Sequence, residues 1–264
     1  MARLLGLDPF NKPVRNVAKV DAEYDKDKYA KLLAYYCQAK RGATVQAIKA
    51  RERSTLHRET CISKDGQLFV TSLGSSQRLE DEVLVDALAE PIATATIVVE
   101  LGCGYGYNLS VLKEAYPNRV WIGGEYSQNA IKLASLLFAG CNDISVFPFN
   151  WYDDSWPIFD TFKGKAVVFT RHSAEQLPLA RDVLPTLRKY REKIIGVVHL
   201  EPIYELTDEE STLGLMRRGY TLLNDYNTDL LTTIKTMGVK ILKTQYDLFG
   251  GNPLNPTSLI YWRF

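Results

Sequence analysis

The chain has 264 residues, of which 46% are hydrophobic and 24% carry a charge. These proportions are those of a folded globular protein and argue against a disordered chain, and the length suits one large α/β domain or a core domain with an extension. The 32 basic and 31 acidic residues give a net charge of +1, so overall charge favours neither nucleic acid nor an anionic membrane as a partner.

The cysteines and the apolar stretches of the sequence indicate in which cellular compartment the protein is found. Cys37, Cys61, Cys103 and Cys141 are scattered, with no CxxC pair and no metal-ligand spacing, which is typical of a reduced protein. The N-terminal stretch MARLLGLDPFNK is too short in apolar residues for a signal peptide, and no later stretch approaches the ~20 apolar residues of a membrane span. We therefore predict a cytoplasmic protein with no membrane partner and no metal.

The N-terminal part of the chain predicts helices followed by a hairpin. Apolar residues recur at three- and four-residue spacing over residues 21–53, and Gly42 divides this range into two helices. An Asp-Gly turn signal at residues 65–66 separates two β-like runs. An amphipathic helix then covers residues 77–90, and we expect Pro91 to stop it.

Basic residues are concentrated between positions 40 and 58. Two interpretations stay open. The pattern is most often a solvated helix face, but these cations would also suit an anionic substrate group such as a phosphate or a carboxylate. The residues concerned are Lys40, Arg41, Lys49, Arg51, Arg53 and Arg58.

The most informative stretch covers residues 96–131. A β-branched run ends at Glu100 and passes into three alternate glycines and an amphipathic pattern, which predicts a strand, a loop open to a ligand and a helix N-terminus. A second buried strand over residues 119–124 stops at another acid, Glu125. This order of elements is that of a nucleotide-binding βαβ unit. The three glycines are Gly102, Gly104 and Gly106.

Strands and helices continue to alternate beyond Glu125. This alternation predicts a mainly parallel sheet with helices on both faces. We expect strands at 144–149, 166–170, 194–200, 239–248 and 258–264, and helices at 127–139, 178–191 and, for the most part, 213–237.

The sequence ELGCGYG followed by EYSQNAI resembles motif I and the following acid of the class I S-adenosylmethionine (SAM) dependent methyltransferases. The resemblance implies a Rossmann-like α/β fold, with a seven-stranded, mostly parallel sheet and an antiparallel last strand. It also implies that Ser127 caps the next helix. By analogy with the family, we assign residues 1–90 to an N-terminal helical and hairpin cap over the cofactor, and residues 91–264 to the SAM-binding methyltransferase domain.

The resemblance also suggests which residues bind the cofactor, S-adenosyl-L-methionine. Glu125 would accept hydrogen bonds from both ribose hydroxyls, and the segment after the third core strand would meet the adenine. One alternative stays open for each of two residues. Trp151 could instead be structural and pack beneath a loop, and Arg171 could instead bind a substrate anion. The predicted cofactor-binding residues are Glu100, Gly102, Gly104, Gly106, Asn108, Glu125, Tyr126, Phe149, Asn150, Trp151, Thr170 and Arg171.

Two of the three histidines follow neighbouring strands at the carboxyl edge of the predicted sheet. If the methyl acceptor is a hydroxyl, a base must remove its proton, and histidine suits this role at neutral pH. We predict His172 or His199 as the base, with Glu201 or Glu175 as the orienting acid. The alternative is that each histidine only ties down a strand end. A metal site built from His172, His199 and Glu201 is disfavoured, because an acid and a base facing one cavity explain them equally well.

The segments after the fifth and sixth core strands are polar and predict substrate contacts from Tyr204, Asn252 and Asn255. We predict a SAM-dependent methyltransferase that acts on an oxygen or nitrogen atom of a polar small molecule, such as a saccharide or another biosynthetic intermediate. A homodimer is left open. The alternatives are an RNA or protein methyltransferase that uses the basic region, a nicotinamide-dependent oxidoreductase, and a non-catalytic SAM-binding module.

Overall fold

A computed structural model describes residues 20–39, 42–53 and 57–264 of the chain. Lys40, Arg41 and the first 19 residues of the predicted cap lie outside these ranges. The strands in the described part are β1 (Glu59–Lys64), β2 (Gln67–Ser72), β3 (Ile97–Leu101), β4 (Val120–Glu125), β5 (Ile144–Pro148), β6 (Ala166–Arg171), β7 (Ile194–Glu201), β8 (Lys240–Phe249) and β9 (Thr257–Arg263).

Helices precede the sheet and connect most of its strands. The first of them has π-type hydrogen bonding and continues directly into the second. The helices are α1 (Asp21–Tyr29), α2 (Ala30–Gln38), α3 (Val45–Arg53), α4 (Leu73–Ala93), α5 (Tyr107–Ala115), α6 (Gln128–Leu137), α7 (Thr212–Leu223) and α8 (Leu230–Thr236). The 3₁₀ segments are Pro157–Asp160, Ala174–Gln176, Ala180–Asp182, Leu184–Lys193 and Tyr204–Leu206.

Strands β3 to β9 form one seven-stranded sheet in the order β5-β4-β3-β6-β7-β9-β8. Strands β3 to β7 pair in parallel, whereas β9 runs antiparallel to both of its neighbours. The predicted Rossmann-like fold with an antiparallel last strand is therefore confirmed. Because the parallel strands end at one edge, the loops that follow β3, β4 and β6 lie together there.

The central strands are apolar along their whole length because both faces of the sheet are covered. Val98 packs with helices α2 to α6 on one face, whereas Val99 packs with the 3₁₀ segments and α8 on the other. Successive residues of a strand point to opposite faces, so one β-branched run supplies both cores.

The N-terminal elements differ from the sequence prediction at one point. Residues 65–66 turn between the antiparallel strands β1 and β2, as expected. Helix α4 starts earlier than predicted, at a Ser72 cap, and it continues through Pro91 to Ala93. Pro91 has no N–H for a helical hydrogen bond, but it lies inside the helix and only two helical residues follow it. The helix crosses the expected boundary between residues 90 and 91, and the division into two domains stays a prediction.

Two predicted helices are wrong in type or extent. The range 178–191 forms 3₁₀ segments, and Pro185, which has no N–H to donate, lies in the first turn of the longest one. The range 213–237 is broken between α7 and α8. The Asn227 amide donates to the Glu175 carbonyl, and its side chain donates to the Leu177 carbonyl, so tertiary hydrogen bonds replace helical ones at this point.

Candidate active site

Two adjoining cavities lie beside the loop that follows β3. The larger has a volume of about 480 Å³ and the smaller about 130 Å³. Tyr24, Tyr29, Gly102 and His172 line both of them. The cavities are therefore bounded below by the carboxyl edge of the sheet and above by α1, which is where a ligand binds in an open α/β sheet.

The backbone geometry of the loop requires glycine at Gly102 and at Gly104. Gly102 has φ +84°, and a Cβ atom there would lie 2.3 Å from the Ser173 Cβ. Gly104 has φ +58°, and a Cβ atom there would lie 2.5 Å from the Tyr29 hydroxyl oxygen. Both positions combine a left-handed backbone with close packing, so the loop brings bare backbone to the cavity wall.

Glu125 ends β4 and lines the smaller cavity. Its Oε2 accepts a hydrogen bond from the Gly104 amide at 2.7 Å, and its Oε1 accepts one from the Ser127 amide at 2.7 Å. Burial raises the pKa of this carboxyl, although the backbone hydrogen bonds oppose the shift. The carboxylate thus joins the glycine loop to the start of α6, where the Ser127 hydroxyl accepts from the Ala130 amide as predicted.

Aromatic side chains form the outer wall of the smaller cavity. Tyr126, Phe149 and Trp151 line it, and the Trp151 ring lies edge-on to Phe149 with 5.1 Å between centroids. Trp151 also packs edge-on against the buried Trp156. The two interpretations of Trp151 are therefore compatible, because the same ring packs internally and borders the cavity.

Glu100, at the end of β3, is fully buried. Its Oε1 accepts from the Asn108 amide at 2.6 Å, but its Oε2 has no hydrogen-bond partner in the described part of the chain. Burial raises the pKa of this carboxyl to about 8. Asn108 in turn accepts from the Arg171 guanidinium at 3.0 Å, so a polar chain runs from the buried acid to the larger cavity.

His172 lies at the junction of the two cavities, with a backbone φ of +49°. Its Nδ1 is 3.2 Å from Glu175 Oε2, and its Nε2 is 2.7 Å from the Thr257 hydroxyl oxygen. Burial lowers the pKa of His172, but the Glu175 carboxylate outweighs burial, so the net shift is upward. Asn255 donates to the same carboxylate at 2.9 Å, which fixes the acid behind the imidazole.

The structure does not bring every predicted site residue to the cavities. His199 is fully buried in the sheet, where its Nδ1 is 2.9 Å from the Thr170 hydroxyl and burial lowers its pKa to about 3. Glu201 is also fully buried, and its carboxylate accepts from the amides of residues 173–175. The predicted site residues outside both linings are Glu100, Gly106, Asn150, Thr170, His199, Glu201 and Tyr204.

Asn150 and Tyr204 instead make local contacts. Asn150 donates to Asp153 and accepts from the Tyr152 amide, so it stabilises its own turn. The Arg218 guanidinium lies over the Tyr204 ring, 4.3 Å from the ring centroid. By contrast, Asn252 and Asn255 line the larger cavity, because the connector between β8 and β9 lies at its mouth.

Sequence reasoning missed most of the wall that the cap contributes. One signal was present, since residues 49, 52 and 53 fall at helical spacing and share one face of α3. The cavity-lining residues without a predicted role are Tyr24, Lys28, Tyr29, Glu52, Gln77, Glu80, Cys103, Tyr105, Tyr107, Gly251 and Thr257.

Within residues 20–39, 42–53 and 57–264, no group of three or more His, Cys, Asp or Glu side chains is arranged to hold a metal ion. Of the helices in the described part of the chain, none combines the length and the apolar run that crossing a bilayer requires.

No protein-family model and no curated protein matches this chain. Solved structures do match it. It is similar to magnesium protoporphyrin IX methyltransferase (ChlM) from Synechocystis PCC 6803 with bound S-adenosylhomocysteine (SAH), at 12% identity and a TM-score of 0.54, over 94% of this chain and 100% of that one. It is also similar to geranyl diphosphate C-methyltransferase from Streptomyces coelicolor A3(2), in complex with Mg²⁺, geranyl diphosphate and SAH. That match has 10% identity and a TM-score of 0.50, over 73% of this chain and 80% of the other.

A further match, PigF with SAH, has 14% identity and a TM-score of 0.48, over 68% of this chain and 54% of that one, so the chain spans about half the length of PigF. The strand order and the first two matches agree with the resemblance of the glycine motif. This chain has the fold of the class I SAM-dependent methyltransferases.

Proposed function

We propose that this protein is a SAM-dependent methyltransferase that acts on a polar small molecule. The observation that carries the proposal is the pair of buried carboxylates on either side of the glycine loop. Glu125 lines the smaller cavity, and Glu100, whose Oε2 is unpartnered in the described part of the chain, lies behind Asn108, which lines the larger one. In this proposal each acid meets a different part of one extended ligand.

The residues at the sheet edge fit SAM. Glu125 would hold the ribose hydroxyls, and the rings of Tyr126, Phe149 and Trp151 would border the adenine in the smaller cavity. The unpartnered Glu100 Oε2 suits the ammonium group of the methionine half, because a buried polar atom requires a hydrogen-bond partner. When bound, SAM supplies an electrophilic methyl group on a cationic sulfur.

His172 is the candidate base for a hydroxyl acceptor. Glu175 beside Nδ1 favours a proton on that nitrogen, which leaves Nε2 free to accept one. The Thr257 hydroxyl contacts Nε2, and both residues line the larger cavity. An acceptor hydroxyl that replaces the Thr257 contact would donate its proton to Nε2. His199 is not proposed for this role, because it lies inside the sheet.

The position of the basic residues favours a small acceptor over RNA or protein. Lys49 and Arg53 line the larger cavity together with Tyr105 and Tyr107, whose hydroxyl groups suit a polar acceptor. A polar cavity of about 480 Å³ is of the size that receives a small molecule.

Calorimetric titration with SAH tests the cofactor assignment. Glu125→Gln should weaken SAH binding about 10- to 100-fold, because a hydrogen bond to a charged group is worth about 1.5–3 kcal/mol. Glu90→Gln, which changes an exposed carboxylate on α4, is the matched control and should bind as the wild type does. Unchanged SAH affinity in Glu125→Gln would remove the ribose assignment.

Two further measurements separate the alternative functions. Titration with NADH in place of SAH should give no binding, whereas retained NADH with absorbance at ~340 nm would indicate a nicotinamide enzyme. A screen with methyl-tritiated SAM over sugars, nucleotide sugars, amino acids and tRNA then identifies the acceptor. Binding of SAH without methyl transfer to any of them, including the endogenous small molecules of an extract, would favour a non-catalytic module.

A further inference from the structure

The cap places two lysines on either side of one carboxylate at the wall of the larger cavity. Lys28 Nζ, from α1, lies 2.7 Å from Glu52 Oε1, and Lys49 Nζ, from α3, lies 3.3 Å from Glu52 Oε2. The Tyr105 hydroxyl donates to the same Oε2 at 3.1 Å. Burial raises the pKa of Glu52, but the two lysines outweigh it and hold the pKa at about 2. One firmly ionised carboxylate is thus shared between two ammonium groups.

The charge of Lys49 is more buried than that of Lys28, and Glu52 offsets the cost of its burial only in part. Only 19% of its side chain is exposed, and its Nζ lies 4.6 Å from the centre of the Tyr107 ring. Burial lowers its pKa, and Glu52 does not offset this effect fully. A further anion beside Lys49 would stabilise the charged ammonium, because an opposite charge nearby favours the ionised form.

The neighbouring part of the wall has the same arrangement. Arg53 and Arg171 both approach Glu80, with Nη2 to Oε2 distances of 2.5 and 3.9 Å. A third acid, Asp81, accepts hydrogen bonds from Tyr107 and Gln77 behind this wall.

In the described part of the chain, this wall therefore holds four basic side chains and three acidic ones, and the His172–Glu175 pair beside it adds one charge of each sign when the imidazole is protonated. With the imidazole protonated, one positive charge is in excess; with the imidazole neutral, the Glu175 carboxylate balances it, so the attraction for anions depends on where Lys28 and Lys49 lie on the cavity wall, whose low dielectric constant strengthens it.

The two clusters differ in what else they contact. Arg171 bonds to Asn108 and, through it, to Glu100, so it belongs to the cofactor side of the cavity. Lys28 and Lys49 project from the cap, and through Glu52 they are linked to the Tyr105 hydroxyl of the glycine loop. An anion at the two lysines would therefore lie beyond the methionine half of the cofactor, where an acceptor has to enter.

We propose that Lys28 and Lys49 form an anion subsite and that the methyl acceptor carries a phosphate or a carboxylate group. The inference rests on the proposed methyltransferase function and narrows its substrate class from polar to anionic molecules. An ammonium group is a compact point charge that binds either anion without requiring a fixed geometry.

Titration of SAH-saturated protein with inorganic phosphate, and separately with malonate, tests the subsite. Heat of binding or NMR shifts are followed at constant ionic strength. The wild-type protein should bind at least one of the two anions, and the preferred anion indicates whether the acceptor carries a phosphate or a carboxylate. Lys49→Gln and Lys28→Gln should each weaken that binding about tenfold, because each removes one charge-assisted contact.

Two further variants distinguish a binding role from a structural one. Glu52→Gln should tighten anion binding, because it removes the carboxylate that competes for the two lysines. Lys132→Gln, which changes an exposed lysine on α6, should leave anion binding unchanged. SAH binding in every variant verifies that the protein is folded, and the more exposed Lys28 provides the test if Lys49→Gln does not fold.

The possible failures have different meanings. If SAH binds but neither anion does, or if Lys28→Gln and Lys49→Gln bind the anion as the wild type does, the subsite is wrong and the methyltransferase proposal stands. If SAH does not bind to the wild-type protein, the proposed function fails. Anion binding that then persists and still depends on the two lysines would support the subsite alone.

Discussion

The sheet edge and the N-terminal cap line the same cavities but are built differently. At the sheet edge, the groups that line the cavities include glycines and, at the end of β4, the carboxylate of Glu125. In the cap, they are long charged side chains that pair between elements. Lys28 of α1 bonds to Glu52 of α3, and Arg53 of α3 bonds to Glu80 of α4.

This difference suggests a division of roles within the proposed function. Groups held by strand ends have little freedom, so they suit a ligand of constant shape such as a cofactor. Charged side chains on helices can change partners at small cost, because a partly exposed ion pair contributes little to stability. We infer that the cap determines which methyl acceptor enters, whereas the sheet edge binds the cofactor, which is the same in every catalytic cycle.

The largest effect on stability is expected where the two regions are joined. Arg217 on α7 donates to the Pro253 carbonyl at 2.8 Å, to Ser63 of the cap hairpin at 2.8 Å and to Asp247 at 2.8 Å. Arg217→Met should destabilise the protein by about 3–5 kcal/mol in urea unfolding, because it leaves the carboxylate of Asp247 buried without its cation.

The adjacent residue provides the control for this prediction. Arg218 pairs with the exposed Glu209 and stacks on Tyr204, so Arg218→Met should cost less than about 1 kcal/mol. Equal losses in the two variants would mean that the Arg217 network does not join the hairpin to the connector between β8 and β9.

The next effect concerns catalysis at the sheet edge. With an acceptor identified by the tritium screen, His172→Gln should lower kcat by about 10²- to 10⁴-fold, which is the usual contribution of a general base. His199→Gln should change kcat by no more than a few-fold, even if it lowers stability, because that imidazole lies inside the sheet. SAH affinity should be retained in both variants. Comparable kcat losses in the two would contradict the assignment of the base.

The pH dependence follows from the His172–Glu175 pair. The pKa of His172 is raised above its ordinary value of 6.5, so the neutral imidazole, and activity with it, should be lost as pH falls through the raised value. The contribution of the pair to stability has the opposite direction: it is fully present below pH 6.5 and is lost as pH rises through the raised pKa. Glu175→Gln should lower the pKa of His172, and NMR titration of the imidazole protons measures it.

The sequence predicted the sheet edge better than the cap for a physical reason. A glycine loop, a strand-ending acid and the Ser127 cap are local patterns, and the fold brings them together without further information. The pairing of Lys28 with Glu52 links two helices and depends on their packing, which no local pattern specifies.

The same argument explains where the edge prediction was incomplete. His199 pairs in register with Thr170 on the adjacent strand, and both side chains remain inside the sheet. The sequence predicted where each strand ends, but it did not predict which side chains near that end are exposed to the cavity and which are buried in the sheet. Glu201 follows the same rule, because its carboxylate turns back to the amides of residues 173–175.

The smallest predicted effect tests how firmly the cap is held to the edge. The Ser127 hydroxyl accepts from the Ala130 amide and donates to Asp25 of α1 at 2.5 Å. Asp25 also accepts from the Asn129 amide at 2.9 Å. Ser127→Ala should cost about 1–2 kcal/mol, because it removes a helix cap together with a contact between the two regions.

Asp25→Ala separates these two losses. It leaves the Ser127 cap of α6 and the Asn129 contact to the backbone carbonyl intact but removes the side-chain contacts of Asp25, so it should cost about 0.5–1.5 kcal/mol. Hydrogen exchange should then accelerate in α1 and α2 while α6 remains protected, because only the cap loses an attachment. Faster exchange in α6 as well would mean that cap and edge unfold as one unit. The proposed division between acceptor selection and cofactor binding would then not correspond to two separately stable regions.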